Sequence, residues 1–179
     1  MVLCFETTGN WISIGYNHKG RELYGYVYNN RVKYVDTYDA IPITRQTQNT
    51  VVLQKYSIKV ALTISAFDSA KNKLGYKTSD EVKYLSTING KPIFGTDGEV
   101  PKRRYQSIEI STGNKSFTLD KSDMEDLFEP DLHFTTCYTD RQNNIIYLTA
   151  NNSDGAGAYS VIWVIENSKC RTRLAIKTD

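Results

Sequence analysis

The sequence predicts a mostly β protein, an antiparallel sandwich or open barrel with one short helix near 122–129. Three observations predict it. Apolar residues recur at every second position in several stretches, which is the period of a strand. Short clusters of Gly, Asn and Asp punctuate those stretches, as in a run of hairpins. Tyrosine supplies 13 of the 179 residues, and its ring lies well on a pleated, half-buried surface while the hydroxyl stays wet.

The elements follow in chain order. Ile12, Ile14 and Tyr16 alternate before the turn Asn17-His18-Lys19-Gly20. Tyr24, Tyr26 and Tyr28 line one face of the next strand. Asn29-Asn30 is a two-residue turn, because Asn tolerates positive φ, and Val32 and Tyr34 sit on the return strand. Residues 39–50 read as a loop, broken by Pro42. Residues 56–66 carry the clearest signal: Tyr56, Ile58, Val60, Leu62, Ile64 and Ala66 alternate with Ser57, Lys59, Ala61, Thr63 and Ser65. A helix would scatter those apolar positions around its circumference.

Asp68 to Lys73 is a turn or one helical turn, and Val82 to Ile88 is a strand. Asn89-Gly90-Lys91-Pro92 and Thr96-Asp97-Gly98-Glu99 have turn chemistry. Gln106, Ile108 and Ile110 mark another strand, which Thr112-Gly113-Asn114-Lys115 turns into Ser116 to Leu119. Ser122 and Glu125 have capping-box spacing and Pro130 stops the helix they start. Strands at 133–139 and 145–150 flank the turn Asp140 to Asn144. Tyr159, Val161, Trp163 and Ile165 share one face of the next strand, with Ile162 and Val164 on the other, so that strand is central and covered on both sides. Asn167-Ser168 leads into a last strand near Cys170 to Ile176. With no internal repeat and no low-complexity linker, residues 1–179 read as a single β-rich domain.

Composition excludes some functions. Hydrophobic residues at 40% and charged residues at 23% are ordinary globular values, which argues against disorder. A net charge of +2 is too mild for a nucleic-acid binder with a clustered basic face. No apolar run reaches membrane-spanning length. The opening Val2-Leu3-Cys4-Phe5 soon turns polar and lacks the basic start and long apolar centre of a secretion signal.

Catalytic patterns are equally sparse. The two histidines, His18 and His133, form no metal pair, and neither H-E-x-x-H nor G-x-S-x-G is present. No cofactor and no metal is expected. Cys137 and His133, four apart on a strand, would share a face but lie too far apart for a direct hydrogen bond. Gly155-Ala156-Gly157 begins like a dinucleotide fingerprint but lacks the third Gly and precedes a strand, where phosphate binding needs a helix. The acids Asp123, Glu125, Asp126 and Glu129 are explained by a helix start. Three scattered cysteines, Cys4, Cys137 and Cys170, build no disulfide framework. A bridge between Cys137 and Cys170 and three inert thiols both stay open.

Two stretches carry a resemblance. One runs from Asn89-Gly90-Lys91-Pro92-Ile93-Phe94 through Gly95-Thr96-Asp97-Gly98 to Pro101-Lys102; the other runs from Asn152-Ser153-Asp154-Gly155 to Val164-Ile165. Together they resemble small exported bacterial β proteins, some of which look like immunity or inhibitor proteins against cell-wall-degrading enzymes. The resemblance covers the C-terminal half and brings no catalytic residues with it. It implies a periplasmic or otherwise exported protein that binds another protein, with the cytoplasm as the alternative compartment.

The expected function is therefore a non-enzymatic protein-binding domain, an inhibitor or immunity protein whose partner is a hydrolase. The expected contact residues are Asp97, Lys102, Arg103, Arg104 and Tyr105 in one segment and Asp154, Gly155 and Gly157 in another, because rigid strands hold exposed loops in place. Arg and Tyr are common anchors of binding energy, and a glycine-rich loop can enter a cleft without side-chain clashes. A hydrolase or ligand-binding enzyme with a dispersed site, and a structural envelope component, are the alternatives. The partner's identity and the oligomeric state are not written in the sequence.

Overall fold

Strand β1 (Leu3–Thr8), β2 (Trp11–His18) and β3 (Arg21–Tyr28) form an antiparallel meander. The structure is a computed structural model and describes residues 2–18 and 21–178, so Lys19 and Gly20 of the expected turn lie outside the described residues. The expected return strand at Val32 and Tyr34 does not form. Asn29 instead donates its N–H to the Asn10 carbonyl, and the chain leaves through 3-10 turns at Asn29–Arg31 and Val35–Thr37. This exit lets Val35 pack on Ile162, Leu174 and Ile176, and lets Tyr38 stack on Tyr147 at 5.0 Å between ring centroids. Burial of that apolar surface outweighs one more edge ladder.

The body is built from two five-stranded antiparallel sheets. The segment expected to be a loop holds two short edge strands, β4 (Asp39–Ala40) and β5 (Ile43–Gln46), which flank Pro42 where a missing N–H costs little. Next come β6 (Thr50–Lys55) and β7 (Ile58–Ala66), joined by a hairpin turn with Tyr56 at φ 55, so Tyr56 is a turn residue and not the first residue of the strand. A small sheet follows: β8 (Leu74–Ser79), β9 (Val82–Ile88) and β10 (Lys91–Pro92). β11 (Arg103–Thr112) and β12 (Lys115–Thr118) rejoin the first large sheet, whose order is β12-β11-β7-β6-β5. β13 (Thr135–Asp140), β14 (Ile145–Asn152), β15 (Tyr159–Glu166) and β16 (Lys169–Lys177) make the second, in the order β16-β15-β14-β13-β4.

The two large sheets face each other as a sandwich. Val60, Leu62 and Ile64 of β7 and Ile108 and Ile110 of β11 share one buried cluster with Leu148, Val161, Trp163 and Ile165 of the opposite sheet. Each such side chain stabilises by roughly 1.5–3 kcal/mol relative to exposure. Tyr105 and Trp163 meet edge to face across the gap at 5.8 Å. β15 is central and doubly covered as its sequence predicts: Ile162 and Val164, on its outer face, are both 7% exposed. The N-terminal meander approaches that outer face, with Gly15 of β2 against Ile176 of β16.

One further expectation needs correction, and one open alternative is decided. The helix at 122–129 shrinks to one 3-10 turn, Lys121–Asp123, and Ser122 makes no cap. Leu127 bridges Phe94 and Phe128 bridges Arg104, while Phe128 joins a buried cluster with Leu85 and Ile88. Tertiary pairing of these two residues overrides the local capping signal, which is a weak prior. The cysteines are all free. Cys137 on β13 and Cys170 on β16 are separated by two intervening strands, roughly 14 Å at the usual strand spacing, well beyond the reach of a disulfide.

Candidate functional site

The two loops singled out in the sequence meet at one end of the sandwich. The first follows β10, from Ile93 to Lys102, and the second links β14 to β15 through the 3-10 turn Gly155–Gly157. Backbone bonds moor the first: Phe94 N–H donates to Asp126 O, and Phe128 N–H donates to Phe94 O at 3.0 Å. Gly95 sits at φ +95, and a Cβ there would lie 2.1 Å from the Phe128 carbonyl oxygen, so only glycine fits. Ser153 ties the loops together, donating its Oγ–H to Gly95 O at 3.2 Å and its N–H to Glu129 O at 3.1 Å. Gly157 presses on Asp97 so closely that an added Cβ would stand 2.7 Å from Oδ1.

Beneath the loops, Asn152 is 1% exposed. Its Oδ1 accepts hydrogen bonds from the Tyr105 hydroxyl at 3.1 Å and the Asp131 N–H at 2.9 Å. Glu129 braces the start of β11: its carboxylate accepts from the backbone N–H groups of Lys102 and Arg103, and pairs with Arg103 Nε at 3.6 Å. Burial holds the Tyr105 phenol well above the ordinary tyrosine range, so it acts only as a neutral donor.

The loops frame a concavity of about 630 Å³. Five carboxylates (Asp97, Glu99, Glu129, Asp131 and Asp154) line it against two cations, Lys102 and Arg103, a formal balance of −3. Of the residues expected from sequence, Asp97, Lys102, Arg103 and Asp154 therefore lie on one surface, with Gly155 and Gly157 shaping the turn beside Asp97. Arg104 points away, into a separate groove with Ser65 and Asp68, and its Nε–H donates to Tyr105 O at 3.3 Å. Tyr105 corrects the expectation of a surface anchor. It is fully buried, because the strand alternation that turns Arg104 outward turns Tyr105 into the core, while Arg103, on the Tyr105 face, stands at the exposed end of the strand opposite Ala66.

Sequence reasoning missed Glu129 and Asp131 as parts of this site, whereas Asn152 and Ser153 fall within the second segment it singled out. Glu129 was explained by a helix that the fold does not make, and its φ of 46 is instead that of a loop residue. Asp131 carries a legible signal, since it caps the turn Leu132–Phe134 by accepting from the His133 N–H at 2.9 Å. His133 itself is exposed, with Nδ1 3.1 Å from Gln46 Nε2, whereas the Cys137 thiol is buried and pushed up to about 12 by desolvation. The two lie in different environments and build no nucleophile–base pair.

A second exposed feature belongs to the meander. Trp11, Tyr24, Tyr26 and Tyr28 are 51%, 67%, 73% and 36% exposed on one face of β2 and β3, and Trp11 meets Tyr28 edge to face at 5.3 Å. No helix among the described residues is long and apolar enough to cross a membrane. No protein-family model, curated protein or solved structure matches the chain.

Proposed function

We propose that the chain is a non-enzymatic protein-binding domain that acts as an inhibitor or immunity protein toward a hydrolase. The observation that carries this reading is the convergence of two loops, distant in sequence, on one braced concavity with a surplus of carboxylates. Rigid strands holding exposed loops at one end of a sandwich are a recurrent scaffold for recognition. The charge balance of −3 favours a partner that inserts a basic side chain or basic segment. Lys102, adjacent to the acids, gives that entry a direction, and Asp97 and Asp154 are the carboxylates nearest the glycine turn.

The test begins with co-purification of the full chain from its source cell, followed by titration of the captured enzyme. Asp97→Asn and Asp154→Asn should each weaken binding about tenfold, or ~1.4 kcal/mol, and the enzyme's hydrolytic rate should recover in parallel. If both variants bind normally while Trp11→Ala and Tyr26→Ala do not, the contact lies on the aromatic face of the meander. If the purified chain itself hydrolyses a wall, ester or peptide substrate, the reading is wrong and the dispersed-site enzyme replaces it.

A further inference from the structure

A second cavity, about 750 Å³, lies between the N-terminal meander and the outer face of the β14-β15-β16 region. Ile14 and Val27 of the meander line one side, and Ile162 and Val164 of β15 the other. The segment that links the two layers closes it with Tyr34 and Tyr38, which faces Tyr147. A volume of this size falls in the range of small-molecule sites. Two apolar layers that met only to bury each other would close to interior packing density instead of leaving such a gap.

The charge of this lining is one-sided. Arg31, Lys33 and Arg171 contribute to it, and no carboxylate does among the described residues. Arg171 is held by Glu166 at 3.1 Å, and Lys33 Nζ lies 3.9 Å from the Tyr38 ring centroid, with the Asp140 carboxylate outside the lining but close enough to feel the Lys33 charge. Arg31 has no carboxylate partner among the described residues. The chain has thus separated its charges, with a carboxylate-rich concavity at the loop end and a cationic, apolar-floored cleft here. An apolar cleft with a cationic rim is complementary to a molecule with an apolar body and one negative head.

We propose that this cleft binds a single-chain amphipathic carboxylate of the fatty-acid class. The chain lies between Ile14 and Val27 on one side and Ile162 and Val164 on the other, and the carboxylate is held by Arg31 and Lys33. Charge-assisted hydrogen bonds from those two cations are the strongest contacts the lining offers. Tyr147 adds a neutral donor: burial, reinforced by Tyr38, pushes its hydroxyl up to about 12. The proposal does not depend on the loop-end reading, since the two cavities share no residue.

Calorimetric titration of the full chain with dodecanoate, below its micelle concentration, tests it. Saturation at one equivalent is expected, with dodecyltrimethylammonium binding about tenfold more weakly or worse. The variant Arg31→Glu/Lys33→Glu should lose about tenfold in dodecanoate affinity while its thermal melt stays in place. Should the charge reversals disturb folding, Arg31→Gln and Lys33→Gln singly give the same direction with a smaller loss. Absence of saturable binding, equal affinity for the two head groups, or unchanged affinity in folded charge variants overturns the proposal.

Discussion

Trp163→Phe probes the centre of the sandwich. The indole is fully buried, its ring meets Tyr105 edge to face at 5.8 Å, and Nε1–H donates to Asp123 O at 2.8 Å. That bond anchors the 121–126 segment onto β15. Phe keeps an aromatic ring in the same rotamer but removes the donor. Loss of one intramolecular hydrogen bond costs about 1 kcal/mol. The Asp123 carbonyl keeps a second donor, Arg173 Nη1 at 3.1 Å, so it is not orphaned and the larger penalty of a buried unsatisfied group does not apply. The missing ring leaves a void on the order of 40 Å³, and at about 24 cal/mol per Å³ this adds about 1 kcal/mol. The expected total is about 2 kcal/mol, which lowers the melting midpoint by about 4–8 °C for a chain of this length. Urea unfolding should show a lower midpoint at unchanged slope. Fluorescence checks the placement independently. The two tryptophans differ, since Trp11 is 51% exposed and Trp163 is 0% exposed. Trp163→Phe should therefore leave only red, exposed emission, and Trp11→Phe only blue, buried emission. A stability loss under about 0.5 kcal/mol, or blue emission surviving in Trp163→Phe, would refute the reasoning.

Two further outcomes follow from local geometry. Gly95→Ala forces a Cβ to within 2.1 Å of the Phe128 carbonyl oxygen at φ +95, so the first loop must shift; about 1–3 kcal/mol of backbone strain should appear in thermal unfolding, and a melt equal to wild type rejects the placement of this loop. Asp123→Asn should stabilise the protein at neutral pH. Burial, then Asp120, raises the Asp123 carboxyl above the ordinary aspartate value of 3.8. A group raised in the folded state penalises folding once it is ionised. The penalty grows as pH rises from near 3.8 through the folded value, and it vanishes in more acidic solution where both states are protonated. Melting midpoints of the two proteins should therefore converge on acidification and separate near neutrality, and the opposite trend rejects the sign.

The sequence by itself determined the β architecture and much of its core. Strict alternation in Ile58, Val60, Leu62 and Ile64 dictates a strand with one buried face, because the period of a strand is set by its backbone and needs no tertiary information. The two-sided apolar pattern of Tyr159 to Ile165 likewise dictates a central strand. The glycine-rich and acidic turns that line the loop-end concavity were also legible, since turn chemistry is local.

Only the tertiary structure decided the rest. The capping signal at Ser122 and Glu125 yields to bridges that Leu127 and Phe128 make with Phe94 and Arg104, partners far away in the chain. Whether Tyr105 or Arg104 faces the core depends on the register of β11 against β7, which Tyr105 opposite Ile64 fixes. The convergence of Asp97 with Gly157 depends on how the loop before β11 and the loop before β15 meet, and no spacing along the chain encodes it. The cleft with Arg31 and Lys33 exists only because the meander folds back over the second sheet. Local periodicity reports which way a side chain points relative to its own strand, whereas long-range packing decides what that side chain meets.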